Sequence, residues 1–371
     1  MNRLLYIDNL RTGLIALVVL HHLAITYGGP GGWYYIENPP DQYSSVLYSL
    51  FLATNQAFFM GLFFFISAYF TAVSIERKTT TKFVRDRLVR LGLPLLVYYF
   101  LLSPLTIFLM VRYGRGEPVV LYEFYTRYFA FGFGPMWFVE ALLYFTVLYL
   151  LYRIFFPPKT QNSVKRLPHG VWIVLCSLIV GLVTFIVRLW FPVGYVVESL
   201  GFQPPHFPQY IVMFVLGIVA YRHNWLEAIQ YRQSVRWFVF AQILIFVGFP
   251  LLFVAGGAAS GNTAPFMGGM TWQSLGYALW EQLVGFSLII GLIGLFQRYL
   301  NTQTRFAGQL SAAAYMVFII HPVILVAVCV AVKNIEIYHL MKFILLAPVT
   351  LVLCFGSAIL LRRIPGVSKV V

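Results

Sequence analysis

Arg11 and His22 stand eleven residues apart in "RTGLIALVVLHH", a run that is otherwise almost wholly apolar. Eleven residues are close to three whole helical turns, so both side chains project from one face, roughly 16 Å apart along the axis. Histidine ionises near neutrality and suits general-base work, while an arginine fork suits phosphate or carboxylate. The spacing thus sets a candidate base above a candidate anion-steering group, and His21, some 80–100° away, is a bystander. The simpler alternative is an arginine snorkelling to headgroups and a histidine bonded to a neighbouring helix.

Other polar residues lie at similar depth. Glu140 in "GPMWFVEALLYF" and Glu281 in "ALWEQLVGFSL" both fall about two turns inside their runs. Either carboxylate is a candidate to orient His22, or is packing glue. His321 precedes Pro322 in "YMVFIIHPVIL". A proline inside a helix frees the carbonyl one turn back, so His321 either answers that carbonyl or lines a cavity with His22. In "TKFVRDRLVRLGLPLL", Lys82, Arg85, Arg87 and Arg90 precede an apolar run. Arg87 and Arg90 are neighbours on one face if helical, either as a phosphate clamp or as a lipid-facing basic helix.

These residues need a scaffold, and the composition specifies its kind. The 371 residues are 60% hydrophobic and 10% charged, with mean hydropathy +0.80, whereas soluble domains carry about 25% charge. Apolar runs long enough to cross a bilayer are expected near 12–28, 45–74, 91–111, 136–155, 170–190, 209–222, 237–256, 274–297, 311–332 and 341–361. The expectation is an all-α polytopic membrane protein, 1–371 as a single domain, with about ten spans. Lys and Arg concentrate in alternate connections, 20 of 26 in one set, which places both termini in the cytoplasm. The net charge of +14 is therefore a topology signal, and nucleic acid is not an expected partner. Cys176, Cys329 and Cys354 all lie in apolar runs and suggest neither disulfides nor a metal. The connections "GGPGGWYYIENPPDQY" and "AGGAASGNTAPFMGGM" are read either as surface turns or as the mouth of a cavity.

Taken in order, "YIDNLRTGLIALVVLHH", "FFMGLFFFISAYF", "FVRDRLVRLGLPLL", "MWFVEALLYF", "YIVMFVLGIVAYR", "AAYMVFIIHPVIL" and "RRIPGV" resemble the bacterial acyltransferase family 3 membrane proteins over essentially the whole chain. Within that family the chain is most similar to the branch containing the glucan succinyltransferase of periplasmic glucan synthesis. The resemblance implies a multi-pass protein of the bacterial inner membrane that moves an acetyl or succinyl group from cytoplasmic acyl-CoA to a hydroxyl of a glycan. It implies no permanently bound cofactor. The family's essential arginine and histidine map onto Arg11 and His22, and its cytoplasmic arginine pair onto Arg87 and Arg90. Lys82 joins the expected donor contacts, and Trp137, Tyr69 and Ser67 are the expected acceptor or pantetheine contacts. Ala68 departs from the family's usual glycine and implies a slightly wider helix contact there. A transporter or flippase for an acyl donor, sugar or lipid is the alternative, since intramembrane Glu and His also serve proton relays.

Overall fold

Long apolar runs fold as helices in a bilayer because every backbone polar group must find its partner within the segment. The computed structural model describes residues 3–37, 41–128, 130–156, 167–198 and 200–370. Among these residues, nine helices are long and apolar enough to cross a membrane. They are α1 (Leu5–Thr26), α2 (Gln42–Arg77), α3 (Thr80–Arg115), α4 (Gly134–Phe155), α5 (Gly170–Arg188), α7 (Tyr231–Ala255), α8 (Trp272–Tyr299), α9 (Arg305–Ala331) and α10 (His339–Leu361). The remaining expected span, 209–222, is α6, a helix of 16 residues over Phe207–Arg222. The chain is a polytopic helical membrane protein.

Burial sorts the helices. In α2 and α9, 78% and 72% of the apolar window is buried inside the protein, against 17% in α7 and 22% in α10. Helices α2, α8 and α9 therefore form the interior, with α1 packed on α9, α8 and α2. The outer helices keep an apolar surface for lipid.

Helix α2 is gripped from two sides by glycines. A Cβ on Gly217 of α6 would lie 2.2 Å from the Phe65 carbonyl oxygen and 2.8 Å from Ala68 Cβ. One on Gly285 of α8 would lie 2.2 Å from the Ala57 oxygen. The contact at Ala68 is thus tight, not widened as expected, because the facing helix supplies the small residue. Gly217→Ala should destabilise the bundle by about 1–3 kcal/mol through overpacking against backbone. Gly356→Ala, with open space around it, is the control. Thermal unfolding in detergent checks this, and equal midpoints for the two variants would refute it.

Helix α3 begins earlier than expected, so Lys82, Arg85 and Arg87 ride on its leading turns. It widens into π-helical turns at Leu88–Gly92, Tyr98–Leu102 and Met110–Arg115. Pro94 has no N–H for the carbonyl of Arg90, and the Tyr315 hydroxyl of α9 takes its place, donating to that oxygen at 2.9 Å.

Helix α2 opens on Asp41, whose carboxylate accepts from the amides of Tyr43 and Ser44. The Ser44 hydroxyl, with the Tyr338 hydroxyl behind it, holds this carboxyl down to about 2. A depressed acid stabilises the fold above its ordinary value, so this cap is lost only as pH falls through about 2.

Candidate functional site

The histidine pair owes its arrangement to a proline. Pro322 sits inside α9 and leaves the Phe318 carbonyl without its helical amide partner. The His321 ring turns back onto it, with Nδ1 2.8 Å from the Phe318 oxygen. A carbonyl only accepts, so Nδ1 carries the hydrogen, and in neutral His321 the other nitrogen, Nε2, is an acceptor. That Nε2 lies 3.1 Å from Nδ1 of His22. His22 must then donate through Nδ1, which leaves its own Nε2 unprotonated when the ring is neutral. The ring also meets the Val18 carbonyl, one turn back in α1. His321 is fully buried and His22 only partly so, which makes His22 the accessible end of the relay. His321 thus answers the freed carbonyl, and in doing so it meets His22 directly.

Trp33 covers the pair. Its ring stacks on His22 with centroids 3.9 Å apart and planes 15° apart, and it runs nearly parallel to His321 at 5.9 Å. Trp33 belongs to a compact loop after α1 whose ends meet, because the Glu37 amide donates to the Thr26 carbonyl at 2.8 Å. Lys342 of α10 clasps Glu37 by an ion pair and stands over the Tyr27 ring. Gly29 must be glycine here, since a Cβ would lie 2.9 Å from the Ala24 oxygen and 2.4 Å from Leu52 Cδ1. The reading of "GGPGGWYY" as a cavity mouth pointed here, but neither its tryptophan nor its contact with His22 was singled out.

His21 points away, packs on Phe59 of α2 at 4.9 Å, and has a buried Nδ1 without a partner. Neither candidate glutamate orients His22. Both oxygens of Glu281 are occupied elsewhere, by the Arg188 guanidinium and by Nδ1 of His206 at 3.0 Å. Arg188 is completely buried on the last turn of α5 and also faces the Tyr277 ring. The group is a buried tie among α5, α8 and the start of α6, in which removing one partner strands a charge. Glu140 accepts from the Tyr144 hydroxyl at 3.3 Å, and its other oxygen is buried without a partner. Equal depth along the helices did not translate into contact because the two glutamates face other neighbours.

At the end of the bundle where α1 begins, Arg11 lies 4.0 Å from Asp8 and keeps 44% of its side chain exposed. Tyr315, which bonds Arg90, is also within electrostatic reach of Arg11. An open cleft of ≈ 600 Å³ is lined by Lys82, Arg85, Arg90 and Lys369, with Thr79, Thr81, Val89 and Asp86, whose carboxylate is paired with Lys78. Arg87 does not line it. Its guanidinium stands over the Phe83 ring at 5.3 Å, still within electrostatic reach of Arg90.

The aromatic candidates divide. Trp137 joins a wall of rings with Tyr210 at 5.7 Å. Tyr69 is buried against Phe70 and Tyr221, toward the basic end of α2, and Ser67 on the same stretch accepts from Thr71 through its carbonyl. Neither joins the histidine pair. No group of three or more His, Cys, Asp or Glu suited to a metal occurs among the described residues.

The family described as an acyltransferase domain matches residues 4–363. The glucans biosynthesis protein C of Salmonella gallinarum is 24% identical over 328 residues, covering 85% of this chain and 80% of that protein. The protein of the same name from Escherichia coli O1:K1 / APEC is 23% identical over 327 residues, with the same coverage. No solved structure matches.

Proposed function

The chain belongs to the acyltransferase 3 family and is a membrane acyltransferase, and from that premise we propose that it moves an acetyl or succinyl group from cytoplasmic acyl-CoA to a hydroxyl of a carbohydrate acceptor, with His22 as general base. The observation that carries this reading is the hydrogen-bond chain Phe318–His321–His22, which leaves Nε2 of His22 free to take a proton. The acceptor oxygen bonds to the thioester carbonyl carbon as its proton passes to that nitrogen. The carbon–sulfur bond then breaks, and the proton leaves with the thiolate as free CoA. His321 is the positioning residue, in place of the glutamates.

The basic cleft supports the donor side, because Lys82, Arg85, Arg90 and Lys369 suit a phosphate-bearing nucleotide. Arg11 continues that charge onto the face leading to His22. In this reading 1–371 acts as one domain in the bacterial inner membrane, α6 completes ten crossings, and both termini lie in the cytoplasm. The name shared by the relatives supports a glucan-type acceptor.

Purified protein in nanodiscs, given labelled acyl-CoA and a panel of glycans, should release free CoA and label a glycan. Solute uptake into liposomes without acyl chemistry would instead favour transport. The double variant Lys82→Ala, Arg90→Ala should raise the KM for acyl-CoA about 10–100-fold, as expected for losing charge-assisted contacts, with acceptor KM unchanged. An unchanged donor KM would take the cleft out of donor binding.

A further inference from the structure

At the opposite end of the bundle a second open cleft, of ≈ 610 Å³, lies beyond the histidine pair. Its lining includes Trp33, Tyr34, Tyr35, Glu37, Lys333 and Asn334. Trp33 is common to the cleft and to the catalytic pair, since it lines the one and stacks on His22 of the other. We infer that this cleft is the acceptor subsite, that it takes a hydroxyl-rich carbohydrate, and that Trp33 is the shutter between the sugar and His22. The inference rests on the transfer reading above and assigns it a place.

Three observations converge on a sugar. Three consecutive aromatic residues, Trp33, Tyr34 and Tyr35, offer flat apolar faces with polar edges, which suits a ring that is apolar on its faces and polar at its rim. Two buried polar atoms here lack partners: Nε1 of Trp33, a donor, and Oε2 of Glu37, an acceptor. A hydroxyl both donates and accepts, so a polyol can satisfy one of each. The exposed amide of Asn334 adds another donor and acceptor at the rim. The walls are also fixed. Lys333 donates to the carbonyls of Tyr113 and Gly114, Lys342 holds Glu37, and the Tyr34 hydroxyl meets that of Tyr98 at 2.8 Å.

The stack of Trp33 on His22 gives the shutter its purpose. With the ring in place the base is capped on this side, which limits access of water to an acyl donor waiting beneath. Lifting the ring gives Nε1 the partner it lacks and opens the route to Nε2 of His22. Binding of the acceptor is thereby coupled to exposure of the base.

The test separates the subsite from the chemistry. Glycans are titrated onto purified full-length protein in nanodiscs without donor, comparing wild type with Glu37→Gln and Asn334→Ala. In parallel, release of CoA from acyl-CoA is followed without acceptor in wild type, Trp33→Ala and Trp33→Phe. The subsite predicts glycan binding by wild type that weakens about tenfold in each cleft variant. The shutter predicts severalfold faster acceptor-independent CoA release in Trp33→Ala, with Trp33→Phe, which keeps a smaller flat ring, between Trp33→Ala and wild type; release in Trp33→Ala no faster than in wild type overturns the shutter. Equal binding by wild type and both variants, or no binding by wild type, overturns the subsite. Glycan binding that follows this pattern without transfer of label leaves the subsite standing and defeats the transfer reading alone.

Discussion

His22→Ala is expected to lower acyl transfer by about 10²–10⁴-fold, the loss typical of a missing acid–base group, in protein that inserts and purifies normally. The expectation follows from the position of His22 as the accessible end of a buried relay, which leaves its Nε2 unprotonated in the neutral ring. Single-turnover transfer from labelled acyl-CoA reads the chemical step directly. His21→Ala is the internal control, because that ring packs against Phe59 and takes no part in the relay. It should stay within a few-fold of wild type. Near-normal turnover in His22→Ala would remove this residue from the mechanism.

The second large effect belongs to His321. Replacing it with leucine removes the acceptor for Nδ1–H of His22 and frees that ring to turn or to hold its proton on the other nitrogen. Loss of the group that fixes a base's tautomer is worth up to about 10⁴-fold in rate in the serine-protease triad, and His321→Leu is expected between about 10² and 10⁴. His321→Gln tells a positioning role from a merely structural one. Its amide oxygen is able to accept from Nδ1 of His22, so it should recover at least tenfold over leucine. Equal activities in the two variants would argue that the ring only fills space. The KM for acyl-CoA should stay constant in both, since the basic cleft lies at the other end of the bundle.

The class of fold is legible in composition, and the shared face of Arg11 and His22 in spacing, because both depend on one helix at a time. The partner of His22 is not legible in this way. Its neighbour is 299 residues distant, and depth along a helix is one coordinate where contact needs three. Glu140 and Glu281 matched His22 in depth and face elsewhere. Arg188 falls inside the run expected over 170–190 and was not singled out, yet it is completely buried at the end of α5. A cation closing an apolar run, with an acid at similar depth in another, was the available signal for that pair. Arg87 does not line the basic cleft that Arg90 lines, and stands over the Phe83 ring instead, where the backbone enters a π turn at Leu88 that α-helical spacing does not anticipate. The proline in "HPVIL" was the most informative local sign, since a freed carbonyl always needs an answer.

Pro322 never touches a substrate in this scheme, yet it gives the proton wire its direction. Each hydrogen between Phe318 and His22 points the same way because one backbone amide proton is absent at its source. With an N–H restored at position 322, the Phe318 carbonyl would have its helical donor again. His321 would then be free to carry its hydrogen on Nε2 and push the proton of His22 onto the nitrogen that needs to be empty. Every ring would stay in place while the wire ran backwards. The basicity of a side chain in α1 is thus decided by an atom missing from the main chain of α9.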